Sequence, residues 1–220
     1  MIEEALASHG LIPRGGFNFE ADETAPQGPS GKPAKSVLLI GQAGAAPWRY
    51  FQRWRDIQQN DLANPLDIWA REVIDALAEK HGARAVYPSD RPYLPFQRWA
   101  MRTEGLKASP LGILIHPEYG LWHAYRGALL FDKELFFEPQ AETAHPCATC
   151  VSKPCLDSCP AGAVSNEGYD HAGCLSHVRG PAGEPCRLGG CLARNACPVG
   201  EAYRYPAEVQ AFHMASFARV

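Results

Sequence analysis

Residues 147–160 read Cys147-Ala-Thr-Cys150-Val-Ser-Lys-Pro-Cys155-Leu-Asp-Ser-Cys159-Pro160, a C-x2-C-x4-C-x3-C-P run. A second, looser group follows: Cys174, Cys186, Cys191, and Cys197 before Pro198. The chain has eight cysteines, and none precedes Cys147. Thiolates are soft ligands, and sets of four suit zinc or an iron–sulfur cluster. Disulfides need an oxidising compartment, and nothing here indicates export. Zinc ribbons carry two C-x2-C pairs across a longer spacer, whereas this chain has only one such pair. Two 4Fe–4S clusters account for a division into four and four, each group closing in Cys-Pro.

In the bacterial two-cluster run, C-x2-C-x2-C-x3-C-P, the fourth cysteine ligates the other cluster. Here two residues are added between the second and third ligands, with Lys153 and Pro154 falling in that insertion. Crossing the fourth ligands assigns Cys147, Cys150, Cys155 and Cys197 to cluster 1. Cys174, Cys186, Cys191 and Cys159 then hold cluster 2. Gly and Pro crowd this segment, so metal bonds are expected to supply the folding energy that apolar burial cannot.

Outward from the cysteines the texture changes twice. Downstream, 206–217 reads as a closing amphipathic helix. Upstream lies material for an α/β layer. Ile2 to Ser8 suits a short helix, a loop follows it, and 22–33 carries too much Gly, Pro and charge for regular structure. Ser36 to Ile40 (SVLLI) is a buried-strand run ended by Gly41. In the next helix Asn64 can cap, Pro65 suits the first turn, and Leu66, Trp69, Val73, Ile74 and Leu77 share a face that Gly82 ends. Ala83 to Tyr87 reads as a second strand, giving a strand–helix–strand unit. Phe96 to Glu104 follows as helix, with apolar runs at 111–115 and 128–131. The fold expected is α+β: an α/β cofactor- or partner-binding domain over 1–135, then a ferredoxin-like domain with two 4Fe–4S clusters and a C-terminal helix over 136–220.

With 220 residues, 46% of them hydrophobic, the chain can bury a core, and no run reaches the 18 or so apolar residues of a membrane span. The opening MIEEALASHG lacks a basic start and apolar centre, so a cytoplasmic protein without membrane attachment is expected. A net charge of −3 argues against nucleic-acid coating.

The segment before the cysteines carries a family likeness. Leu111-Gly-Ile-Leu-Ile-His-Pro-Glu-Tyr-Gly-Leu-Trp122, then Arg126-Gly-Ala-Leu-Leu-Phe131, then the C-x2-C run, resembles the epoxyqueuosine reductases, cobalamin-dependent iron–sulfur enzymes distantly similar to the reductive dehalogenases. Cys174 in Asp170-His-Ala-Gly-Cys174-Leu-Ser falls where that family places its lone middle cysteine. The likeness covers about residues 36–200. It implies an α/β half that binds cobalamin, a cluster that reduces cobalt, and an electron-donor protein of the flavodoxin or ferredoxin reductase type. It also implies a carboxylate proton donor after the second strand. Counting back from Trp99 puts Asp90 there as the candidate catalytic residue; anchoring on Ala83 to Tyr87 puts Pro88 there, leaving Asp90 an ordinary turn residue. Two departures stand out. The helical-repeat extension that helps those enzymes hold tRNA is not found, so tRNA is not expected as substrate. The family's Gly-Lys-Asn or Gly-Lys-His signature is replaced by Lys107-Ala-Ser-Pro-Leu-Gly112, which bears on corrinoid binding.

Other signals are weaker. Phe-Gln-Arg-Trp occurs at 51–54 and 96–99, as amphipathic helix starts or as part of a binding surface. In the second case Arg49, Arg53, Arg55, Arg98 and Arg102 are candidates for carboxylate or phosphate groups of a cofactor such as a corrinoid. His116 is a cofactor-binding candidate or a hydrogen-bonded turn residue, and His145 a cluster neighbour or a surface group. Gly41-Gln-Ala-Gly44 has neither the dinucleotide fingerprint nor the P-loop lysine, and reads as a tight turn. Two function classes follow. One is an iron–sulfur oxidoreductase whose clusters feed a corrinoid or other cofactor; the other is a ferredoxin-type electron carrier with no corrinoid.

Overall fold

The computed structural model describes residues 1–59, 62–138 and 144–219. In chain order the first elements are α1 (Ile2–Ala7), β1 (Ile12–Asn18), β2 (Ser36–Ala43), α2 (Trp48–Asp56), α3 (Pro65–His81), β3 (Arg84–Val86) and α4 (Phe96–Glu104). Then come β4 (Lys107–Ala108), β5 (Leu114–Ile115), β6 (His123–Phe131), α5 (Pro146–Thr149), α6 (Pro154–Asp157), β7 (Val164–Ser165) and β8 (Gly168–Tyr169). The last are α7 (His171–Arg179), α8 (Glu184–Gly189), α9 (Leu192–Asn195) and α10 (Ala207–Ala218). The chain divides into two compact units: Met1–Gly105 with Ala124–Glu142, and Leu106–His123 with Thr143–Val220. Each unit thus gathers two separate stretches of the chain. The segment 106–123 packs with the cysteines.

The first unit is built on a four-stranded sheet in the order β1-β2-β6-β3. β1 pairs antiparallel with β2, and β3 antiparallel with β6. The Lys35 N–H bonds the Phe131 carbonyl while Gly41 lies against Ala124, so β2 and β6 also run in opposite directions. The strand–helix–strand unit over 36–87 is present, but β6 is inserted between its two strands. Their apolar runs explain the central positions: Val37, Leu39, Ile40, Ala128, Leu129 and Leu130 are wholly buried.

β1, with sequence IPRGGFN, is a strand that the sequence reading assigns to a loop. Pro13 and two glycines weaken strand propensity, yet an edge position tolerates them. The register slips between Pro13 and Gly16, and Gly15 takes φ +70°. A bulge of this kind re-aims a side chain, and here it turns Arg14 into the interior at 2% exposure.

α3 buries Leu66, Trp69, Ile74 and Leu77 on one face, and Gly82 ends it with φ +61°. Its start differs from expectation. Asn64 adopts φ 55° and makes no side-chain cap bond, so it serves as the left-handed entry residue and Pro65 alone sets the first turn.

The second unit has short helices and two small two-stranded sheets, β4-β5 and β7-β8. One apolar cluster joins Leu111, Ile115, Leu121, Cys155, Val164, Ala193 and Cys197; another joins Val178, Cys186 and Ala218. Cysteines take the place of larger apolar side chains in both. Among the described residues, no helix is long and apolar enough to cross a membrane.

Candidate functional site

The fold draws the eight thiols into two sets. Burial pushes the Cys147 thiol up, and the Cys197, Cys155 and Cys150 sulfurs push it further. Cys155 is raised by burial and then by Cys197 and Cys150, and Cys197 by burial and then by Cys150. In the other set burial raises Cys186, with Cys174 and Cys159 adding to it. Cys191 is raised by burial and by Cys174 and Cys186. Cys197 thus stands with the early cysteines and Cys159 with the late ones. Thiols crowded in this way resist ionisation until a cation neutralises their mutual repulsion.

Local structure explains how each sulfur is presented. His145 caps α5, its Nδ1 accepting the Cys147 N–H at 3.2 Å. Lys153, within the inserted residues, takes φ 39°, and Pro154 opens α6, which carries Cys155. Asp170 caps α7 by accepting the Gly173 N–H at 3.0 Å, just before Cys174. Gly190 (φ +84°) leads the chain from α8 to Cys191.

Backbone amides surround the sulfurs. The Ala163 N–H donates to Cys159 Sγ at 3.3 Å. The Leu156 amide lies near the Cys155 sulfur, that of Leu192 near Cys186, those of Ala193 and Arg194 near Cys191, and that of Val199 near Cys197, and each opposes the upward shift of its thiol. Such donors favour the thiolate. Among the described residues, no three His, Cys, Asp or Glu side chains close around the position of a single metal ion. A four-iron cubane spreads its thiolates wider than one tetrahedral ion does, and two four-sulfur sets fringed by amide donors suit it by ligand chemistry.

The remaining candidate residues are dispersed. Asp90 lies in the turn after β3, one carboxylate oxygen accepting the Tyr87 N–H at 2.9 Å and the other paired with Arg71. Arg98 is exposed on α4. Arg102 is engaged within its own unit: it pairs with Glu23 at 2.6 Å and stacks 3.9 Å from the Phe17 ring centroid. His116 belongs to the second unit, where its Nδ1 accepts the Glu118 and Tyr119 N–H groups at 3.1 Å each and its ring stacks on Tyr119. That is the geometry of a turn-holding residue. Arg49 stacks on Tyr50 and Arg55 lies over Phe51. The expected tight turn at Gly41–Gly44 is not formed: β2 runs on through Gly41, Gln42 and Ala43, and the turn begins at Gly44, whose carbonyl accepts from Gln42 Nε2 at 2.9 Å. The Lys107–Gly112 segment closes as the β4–β5 hairpin, with Ser109 bonded to the Ile113 carbonyl and Leu111 packed in the cysteine-bearing core.

Sequence reading missed a buried polar cluster in the first unit. Arg14 donates to both Glu104 oxygens, at 2.7 and 2.8 Å, and its ring-facing guanidinium lies 4.7 Å from the Tyr125 centroid. Tyr125 donates to Glu104, and Arg126 Nε donates to Gln42 Oε1 at 2.7 Å. Arg126 and Tyr125 line a cleft of about 360 Å³ with Arg71, Tyr87, Ser89 and Tyr93. Burial is the first cause that pushes the Tyr125 and Tyr87 hydroxyls above their ordinary range. The only sequence trace of this cluster is an arginine placed between Pro13 and two glycines.

No protein family matches the sequence, and no curated protein does. Solved structures do. An epoxyqueuosine reductase solved with a tRNA-Tyr epoxyqueuosine-modified stem loop matches with a TM-score of 0.51 and 20% identity, over 94% of this chain and 66% of that one. The epoxyqueuosine reductase of Streptococcus thermophilus matches with 0.50 and 17%, over 79% of this chain and 51% of that one. The C. elegans B12-trafficking protein CblC matches with 0.53 and 12%, over 99% and 90%. The chain therefore has the fold these proteins share, and it spans between 51% and 66% of the epoxyqueuosine reductases.

Proposed function

We propose that this chain is an iron–sulfur redox protein with two 4Fe–4S clusters. Cys147, Cys150, Cys155 and Cys197 hold one, and Cys159, Cys174, Cys186 and Cys191 hold the other. The crossed grouping of the eight thiols is the observation that carries this reading. The clusters supply one-electron chemistry, fed by a donor protein of the flavodoxin or ferredoxin reductase type. The acceptor is a corrinoid or another group bound by the first unit, a reading supported by the fold shared with a B12-trafficking protein. Within that unit Asp90 is the proposed proton donor, its carboxylate held in place by Arg71 and the Tyr87 amide beside the cleft. The closed β4–β5 hairpin favours a second reading, an electron carrier without corrinoid.

Anaerobic purification with iron and sulfide quantification, followed by cobalamin titration watched in the corrinoid absorption bands, separates these. About eight irons per chain and a saturable band shift are expected. Eight irons with no shift, for base-on and base-off forms alike, would leave the carrier; an iron-free chain would remove the redox reading itself.

A further inference from the structure

The two sulfur sets sit in unequal electrostatic surroundings. Arg194, on α9, three residues after Cys191, is held between two aromatic rings, 4.2 Å from the Trp122 centroid and 4.9 Å from that of Tyr205. Its Nη2 donates to the Leu121 carbonyl at 2.5 Å, and its Nε is buried without a hydrogen-bond partner. Burial pulls its pKa down from the usual guanidinium value, while Tyr205 and the Cys191 sulfur favour the charged form. An arginine stays protonated in such a place, so this is a fixed positive charge in a medium that screens poorly.

Two further groups act on the same set. Arg187 lies near Cys186 and donates to the Val178 and Gly180 carbonyls. The Tyr169 hydroxyl lies near Cys174, with the Cys191 and Cys159 sulfurs close by. Neither Arg187 nor Arg194 is paired with a carboxylate among the described residues. The cations near the other set are more open to water. Arg204, near Cys197, is exposed and shares its charge with Glu201 at 3.3 Å. Lys153, near Cys147, sits half-buried on a turn. Exposed charges lose most of their effect to solvent, and buried ones do not.

We propose that Arg194, assisted by Arg187 and the Tyr169 hydroxyl, holds the Cys159/Cys174/Cys186/Cys191 centre at the higher reduction potential of the two. This rests on the two-cluster reading. Reduction adds one negative charge to a centre, and a buried cation together with a hydroxyl dipole close to the sulfurs stabilises that added charge. One electron delivered to the oxidised protein therefore resides on this centre, and the Cys147/Cys150/Cys155/Cys197 centre is reduced second.

The test is an anaerobic dithionite titration of the iron-loaded protein followed by electron paramagnetic resonance, with iron counted in every sample. The wild type should show two separate one-electron waves, and Cys174→Ser should identify the upper one. Arg194→Gln should lower the upper wave by about 59 mV, a tenfold change in its reduced-to-oxidised ratio. The lower wave should stay in place. Arg194→Lys should keep most of the potential, and Tyr169→Phe should lower the same wave by less. Full iron with an unmoved upper wave in Arg194→Gln, or equal shifts of both waves, overturns the proposal. Should Arg194→Gln fail to load iron, an upper wave unmoved in both Arg194→Lys and Tyr169→Phe overturns it equally. A wild-type protein without iron removes the two-cluster reading along with it.

Discussion

Arg14 and Glu104 are nearly inaccessible, their side chains 1% and 9% exposed, and each is left as a buried charge if the other goes. Tyr125 joins them. Its hydroxyl is pushed up first by burial; Arg14 opposes the shift and Glu104 adds to it. A folded value above the unfolded one, about 10 for tyrosine, leaves stability intact below about pH 10. Above that the unfolded chain releases the proton first, so stability falls as pH rises. Tyr125→Phe should therefore flatten the fall of urea midpoints between pH 9 and 11, Tyr87 leaving the remainder. At pH 8 the same change should cost about 1.5–3 kcal/mol, because a bond to a charged group is lost. An unchanged alkaline slope would show that Tyr125 is not the titrating group. The cysteines give a second expectation at this scale. Cys197→Ser should damage the same cluster spectrum as Cys147→Ser, although Cys197 lies fifty positions downstream, and Cys159→Ser the other. Resonance spectra of the three variants check it. The proposed pairings are already legible in the spacing of the cysteines and their prolines, whereas Arg14 and Glu104 lie 90 positions apart and no local pattern joins them.

Among the elements, the turn at 116–120 shows how the cysteine-bearing unit is assembled. His116 and Gly120 bond each other's backbones, and a Cβ on Gly120 would meet the Val199 carbonyl. A Cβ on Gly200 would meet Tyr119 in the same way. Both glycines have positive φ, +58° and +72°, and Val199 follows Cys197-Pro198. Backbone therefore touches backbone at the place where Cys197 is positioned. Gly120→Ala should lose iron and lower the melting temperature of this unit, and Gly82→Ala, with open space around its Cβ, should keep full iron. Equal iron in both proteins would count against this account. α3, α4 and the 36–40 part of β2 follow from their apolar spacing, Pro65 and Gly82, whereas the extension of β2 through Ala43 does not. β1 does not, because its Pro and glycines are acceptable only at the sheet edge that the other strands create.

Across the whole molecule the two units draw on different sources of stability. The sheet of the first unit buries Val37, Leu39, Ile40, Ile74, Leu129 and Leu130. The second has cysteines within two of its apolar clusters, beside Val164 and Leu121 in one and Val178 in the other. Removing iron with a chelator under reducing, anaerobic conditions should erase amide protection over 147–197 and retain it over β2 and β6, as read by hydrogen exchange with mass spectrometry. Retained protection across 147–197 in iron-free protein would mean that apolar packing holds that unit. The sequence by itself determined the soft-ligand character of 147–197, its cysteine spacing, and the helices with strong apolar periodicity, because these depend on residue type and on neighbours a few positions away. The tertiary structure alone decided that β6 enters between β2 and β3, that 106–123 packs with the cysteines, and that Arg14, Glu104 and Tyr125 meet. It also decided that Arg194 lies between Trp122 and Tyr205 rather than in solvent. Each of these joins segments far apart in the chain, and the free energy that selects them comes from burial and pairing that exist only once the fold has closed.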